Sequence, residues 1–168
     1  MQLRLPVLAL AVGCFWCSAP FAPRVFAGNR KLLVQQDSLT DESLKSLLDG
    51  MGLEPKKLSK GYLIAIKREA WTYNMQLVLS GDGTKLGINA NLGVVDKPEE
   101  VPASAWLALL QANSEIDPSS FYFEKEQKKL YLHRVLDNRG LTAVVVRKQV
   151  EAFCDNLKST GDLWKFTK

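Results

Sequence analysis

The chain has 168 residues, 46% apolar and 24% charged, a balance that suits one folded domain and excludes a disordered chain or a coiled coil. Lys and Arg number 22 against 18 Asp and Glu; without Arg4 and Arg24, which fall in a removable leader, the 20 basic residues left exceed the acids by two. So small an excess argues against nucleic acid, whose binding needs concentrated neutralisation of phosphate.

Met1 to Ala27 reads as a secretory signal. Arg4 supplies the positive start, Leu5 to Trp16 the apolar run, and Val25-Phe26-Ala27 a small-x-small exit before Gly28. Pro6, Gly13 and Pro20 interrupt the run, which falls short of the roughly 20 residues a bilayer requires, so no membrane span is expected. The expected destination is the periplasm or the exterior. Two other addresses stay open. Ala11-Val12-Gly13-Cys14 resembles a bacterial lipoprotein box that would anchor the chain at Cys14, and Ser18-Ala19-Pro20-Phe21-Ala22-Pro23-Arg24 resembles the Phe-containing junction of a bipartite plastid presequence. Cys14-Phe15-Trp16-Cys17 has C-x-x-C spacing but lacks the strand before it and the helix after it that activate such a thiol. With the leader gone Cys154 is the sole cysteine, and no disulfide is expected.

Gly28 to Asp37 is a polar, flexible lead-in to a single domain over 38–168. Ser38 to Asp49 predicts the first helix, with capping oxygens on Ser38 and Thr40, acids at Asp41 and Glu42, an apolar stripe of Leu44, Leu47, Leu48 and Met51, and Gly50 and Gly52 at its end. From Gly61 the period changes to two. Tyr62, Ile64 and Ile66 share one face of a first strand. Trp71, Tyr73, Met75, Leu77 and Leu79, then Leu86, Ile88, Ala90, Leu92 and Val94, predict the buried face of a hairpin turning at Ser80-Gly81-Asp82-Gly83. The opposite face carries small and polar groups, among them Gly87 and Gly93.

Asp96-Lys97-Pro98-Glu99-Glu100 is a loop whose acids read as solvated. Pro102 opens a second helix to about Asn113, with Trp106, Leu109, Leu110 and Asn113 on one face. Phe121, Phe123, Leu130, Leu132 and Leu136 predict a second hairpin turning within 125–129. Asp137-Asn138-Arg139-Gly140 is a turn, and Thr142 opens a last helix with Val146, Val150, Phe153, Cys154 and Leu157 inward and Arg147, Lys148, Glu151, Asp155 and Lys158 in water. Trp164 is expected to fold back onto the domain. Lys125, Lys128, Lys129, Arg134, Arg139, Arg147 and Lys148 could gather, but the acids among them cancel much of the field.

The reading is therefore α+β: one curved antiparallel sheet of about five strands with helices on one face, in the order α-β-β-β-α-β-β-α. That order resembles the type III secretion chaperone-like fold shared with YbjN-type domains. The likeness rests on the helix Trp106-Leu107-Ala108-Leu109-Leu110-Gln111-Ala112-Asn113, the hairpin arms Phe121-Tyr122-Phe123 and Leu130-Tyr131-Leu132, and the helix after Leu141-Thr142. It implies a small module that binds a protein or peptide, as a single chain or a homodimer. The sequence carries no phosphate loop, dinucleotide fingerprint or zinc-protease motif. No catalytic residue, metal or cofactor is expected, and His133, the one histidine, reads as a half-exposed strand residue. The partner surface is expected on the polar sheet face at Asn74, Gln76, Asn89 and Asn91, or at a dimer interface involving the second hairpin. The competing expectation is a small-ligand carrier or simple hydrolase with a pocket lined by Trp71, Tyr73 and Trp106, served by His133 and a carboxylate.

Overall fold

The computed structural model describes residues 38–168; the leader with its Cys14 anchor, the Cys14/Cys17 pair, the presequence-like junction and the lead-in 28–37 lie outside the described residues. Helix α1 is Asp41–Gly50. Its cap is Thr40 rather than Ser38: Thr40 Oγ1 accepts from Ser43 N at 3.3 Å while Ser43 Oγ accepts from Thr40 N at 2.7 Å, a reciprocal box that satisfies two orphan donors. Strands β1 (Lys56–Lys57), β2 (Tyr62–Arg68), β3 (Trp71–Leu79) and β4 (Lys85–Val94) follow, then α2 (Ala103–Glu115), β5 (Ser119–Glu124), β6 (Lys129–Asp137) and α3 (Ala143–Ser159). The result is an α+β domain with an open, curved antiparallel sheet in the order β1-β2-β3-β4-β6-β5.

The sheet has six strands where the apolar pattern predicts five. The added β1 is two exposed lysines opposite Leu63 and Tyr62, and it has no alternation to betray it. Elsewhere the period of two holds. Tyr62, Ile64, Met75, Leu77, Leu86, Ile88, Ala90, Leu92, Phe121, Leu130 and Leu132 point inward and share one core with Leu44 and Leu48 of α1, Leu109 and Ala112 of α2, and the α3 stripe Val146, Val150, Phe153, Cys154 and Leu157. Trp71 departs from the expected face: it is 59% exposed, because it opens β3 beside the two-residue turn to β2, beyond the reach of the core. Val94 is only half-buried and Val95 is buried in its place. A bulge between Asn91 and Gly93 shifts the register against β6, and one extra residue moves the inward set along by one.

Two glycines are required by close approach. A Cβ on Gly61 would stand 2.0 Å from Leu77 O, and one on Gly93, at φ +134°, would stand 2.7 Å from Lys168 O. At the second position the segment after α3 returns as predicted and pairs with the bulged strand: Val94 and Lys168 exchange two main-chain bonds of 3.0 Å, and Thr167 Oγ1 donates to Leu92 O at 2.8 Å. Trp106 packs edge-on against Phe123 and Phe166, centroids 5.4 Å away in both pairs. Leu110, placed by spacing on the same face, is 66% exposed. With Ala112 turned inward, α2 rolls so that Leu107 and Leu110 face out.

Polar ties lock the roof to the sheet. Arg134, counted in the sequence among the solvent-facing cations, is 4% exposed. Its Nε donates to Ser119 Oγ at 2.8 Å and its guanidinium to Gln149 Oε1 at 2.8 Å, and Asn156 Nδ2 donates to the same Ser119 Oγ at 3.1 Å. Burial pushes the Arg134 pKa down and Asp117 opposes that; the neutral acceptors offset the cost of burying the charge. Asn138, fully buried, donates Nδ2 to Leu39 O at 2.9 Å and Gly83 O at 2.8 Å, and its Oδ1 accepts from Leu39 N at 3.1 Å. One amide thus joins the entry to α1, the β3–β4 turn and the β6–α3 junction. Asn138→Ala leaves three part-buried main-chain groups, Leu39 N, Leu39 O and Gly83 O, without their partner and should cost about 2 kcal/mol, read as a lowered urea midpoint at unchanged slope.

Candidate functional site

The outward residues of the sheet line up in rows, because antiparallel partners stand directly opposite one another. One row crosses all six strands: Lys56, Leu63, Gln76, Asn89, His133 and Ser120. Beside it Asn91 faces Tyr131 and Tyr131 faces Tyr122, and on the other flank Val78 and Val135 stand across Gly87. Among the described residues no helix covers this face. All four expected partner-binding residues lie on it. Asn74 and Asn91 are exposed, and Gln76 and Asn89 are half-buried and directly paired. Gln76 is not free: its Nε2 donates to Lys60 O at 2.5 Å.

The face extends further toward β5 than the four amides suggest. Tyr122 and Tyr131 stack with centroids 5.1 Å apart and planes 10° from parallel, and the His133 ring meets Tyr122 edge-on at 5.8 Å. Tyr122 and Val135 are 41% and 44% exposed. The signal for these residues is the parity of the second hairpin: once Leu130 and Leu132 face inward, Tyr131, His133 and Val135 face outward, and Tyr122 joins them between Phe121 and Phe123.

His133 Nδ1 contacts Asn89 Oδ1, so with the amide oriented this way Nδ1 carries the proton and Nε2 is left as an acceptor. Burial lowers the His133 pKa; burial also raises both phenols, with Tyr131 and Glu124 adding to the effect at Tyr122 and Glu124 at Tyr131. At neutral pH these rings are uncharged. The surface is amide-rich and aromatic, suited to main-chain and apolar contacts. Ser120 stands opposite His133, but the imidazole contacts Asn89, and among the described residues no three His, Cys, Asp or Glu side chains gather as metal ligands. Cys154 is buried in the core with its pKa pushed up by burial, as expected for packing rather than chemistry.

A cavity does exist, on the other side. An open groove of about 630 Å³ runs between β3, β4 and the segment after α3, lined by Trp71, Tyr73, Asn74, Asn91, Leu157 and Trp164 among others. Two of the three aromatic residues expected to line a pocket are there. Trp106 is not, since Phe123 and Phe166 enclose it, and Trp164 takes its place. His133 also lies away from the groove, which removes the histidine-and-carboxylate arrangement that a hydrolase reading requires.

The acid side of the pH profile follows from His133. Its folded pKa lies below the ordinary 6.5, so the unfolded chain takes up a proton first and stability falls as pH drops below about 6.5. The carboxylates held low by their bonding partners, Asp82 at about 2 among them, act only below their ordinary 3.8. Urea midpoints measured from pH 7.5 to 4.5 should decline for the native chain and flatten for His133→Gln.

No family model and no curated protein matches the chain. Solved structures do. A chain of the ExsC–ExsE complex superposes with a TM-score of 0.54 at 16% identity, over 76% of this chain and 97% of that one. A chain of the heterodimeric ExoU–SpcU complex from the type III secretion system of Pseudomonas aeruginosa gives 0.51 at 17%, over 73% and 96%. A chain of the HopA1–SchA chaperone–effector complex gives 0.50 at 8%, over 69% and 88%. The fold of this chain is the fold found in a chain of each of these three complexes.

Proposed function

We propose that this protein is an exported, non-enzymatic, chaperone-like module that holds a polypeptide partner on the open face of its sheet. The observation that carries the reading is the uncovered row from Lys56 to Ser120 with its aromatic flank Tyr122, Tyr131 and His133. A six-stranded surface of paired amides, neutral rings and isolated valines matches the chemistry of an extended chain. The neighbours in fold come from complexes between two proteins, which supports the same class of activity. Leu107 and Leu110, exposed on α2, favour self-association as a homodimer. Export rests on the leader and its Ala27–Gly28 junction.

Two experiments test this reading. A permanently unfolded polypeptide, reduced and carboxymethylated α-lactalbumin, should co-sediment with the full chain, and the double variant Tyr122→Glu, Val135→Lys should weaken that binding about tenfold or more while keeping the native urea midpoint; equal binding by both proteins overturns the assignment of the face. Residues 1–27 fused to alkaline phosphatase should yield active enzyme outside the cytoplasm, with the processed native chain beginning at Gly28. Retention of Met1, or label from palmitate on Cys14, overturns cleavage at Ala27.

A further inference from the structure

The ladder between β3 and β4 is shorter than either strand. It runs from Leu79 opposite Leu86 to Gln76 opposite Asn89 and stops, although β3 continues back to Trp71 and β4 forward to Val94. Each strand keeps its other neighbour over that stretch, β3 pairing with β2 as far as Trp71 and β4 with β6 as far as Val94. The sheet is therefore split down its middle, and the groove of about 630 Å³ occupies the split.

Strand parity states what the walls offer. Ser80 N donates to Lys85 O at 2.9 Å, so even-numbered residues of β3 and odd-numbered residues of β4 direct their main-chain groups at each other. Continuing past Gln76 and Asn89, Thr72 and Asn74 on one wall and Asn91 on the other aim N–H and C=O groups into the split without a ladder partner. Along one wall such groups repeat every two residues, about 6.6 Å. Behind the walls Ala90, Leu92 and Leu157 are buried and apolar, and Trp71, Tyr73 and Trp164 present rings. Trp164 Nε1 has no bonding partner among the described residues but is closed to solvent, so the groove meets the Trp164 ring and not its N–H. The rim charges cancel: Lys158 pairs with Glu69 at 3.0 Å and Lys165 with Asp162 at 2.5 Å. Among the described residues that line the groove, both lysines are thus paired.

We infer that the split is a docking slot for a short extended peptide, which enters as an intercalated strand, bonds to β3 and β4 at once, and presses alternate apolar side chains onto Ala90, Leu92 and Leu157. Only a polypeptide backbone supplies donors and acceptors at strand spacing to two walls together. Because the closed ladder begins at Gln76 and Asn89, the slot is blind at that end. It takes about four residues, so the segment either terminates there or bends out past Asn74 and Asn91 onto the open face.

This inference rests on the protein being a polypeptide-binding module, and its test keeps the two apart. A phage-displayed random hexapeptide library is selected on the full chain, and a recovered peptide is synthesised both plain and N-methylated at alternate amides. The plain peptide should slow amide hydrogen exchange at Thr72, Asn74 and Asn91 at least tenfold and shift the Trp164 indole resonance. The methylated twin and the variant Thr72→Pro should each lose binding at least tenfold. Thr72→Pro should keep its urea midpoint, since the N–H it removes is unpaired; Trp164→Phe, which shrinks the ring that lines the groove, should weaken binding several-fold and serves if the proline variant does not fold. Protection confined to β1 or β5, equal binding of the methylated twin, or failure to select any peptide overturns the slot; equal binding of the twin reassigns the groove to a small apolar ligand. If the slot fails while carboxymethylated α-lactalbumin still binds, the open face stands without it. If both fail, the polypeptide-binding reading goes too.

Discussion

β4 lies between β3 and β6, and each of its residues gives its main-chain bonds to one neighbour and its side chain to one face. Leu86, Ile88, Ala90 and Leu92 turn to the core; Gly87, Asn89 and Asn91 turn to the open side. Because β4 is paired on both edges, this alternation fixes the parity of the strands around it. Slipping it by one residue would bury Asn89 and Asn91 and expose Leu86 and Ile88. The bulge at Gly93 is where the protein uses that sensitivity, trading Val94 for Val95 in the core and admitting the main chain of Lys168 against the strand.

The two candidate surfaces meet at the same residues. Asn74 and Asn91 stand on the uncovered sheet face and also line the groove behind it, because the sheet parts between them. A sheet split at mid-width leaves main-chain donors and acceptors unpaired in the interior of a layer, where ordinary sheets leave them only at the rim. The neutral rings and amides around it suit contacts that depend on backbone shape more than on charge. That accords with a chain whose 22 basic residues exceed its 18 acids by only four.

Specificity in the roof comes from buried polar groups rather than from added apolar area. Arg134 crosses from β6 to α3 through Ser119 and Gln149, and Asn138 binds three loops with one amide. Each group would cost stability in any arrangement that failed to pair it, so each penalises wrong packings of α3 and α1 more than it strengthens the right one. Arg147 adds to this by donating to Met51 O at 2.7 Å at the end of α1.

The strand and helix periods, written in the spacing of Leu, Ile and Val, determined by themselves the α+β class, the order of the elements, the one-sided core and the placement of Asn74, Gln76, Asn89 and Asn91 on the bare face. Alternation is a local property, and it survives without knowledge of the partners. Tertiary structure decided what depends on a partner's position. Lys56 and Lys57 become a strand only because β2 offers an edge; Trp71 and Leu110 lie in water because no element reaches them; Arg134 is buried because Ser119 and Gln149 receive it; and β3 parts from β4 although both remain strands. Those outcomes turn on distances between segments far apart in the chain, and neither composition nor period carries that information.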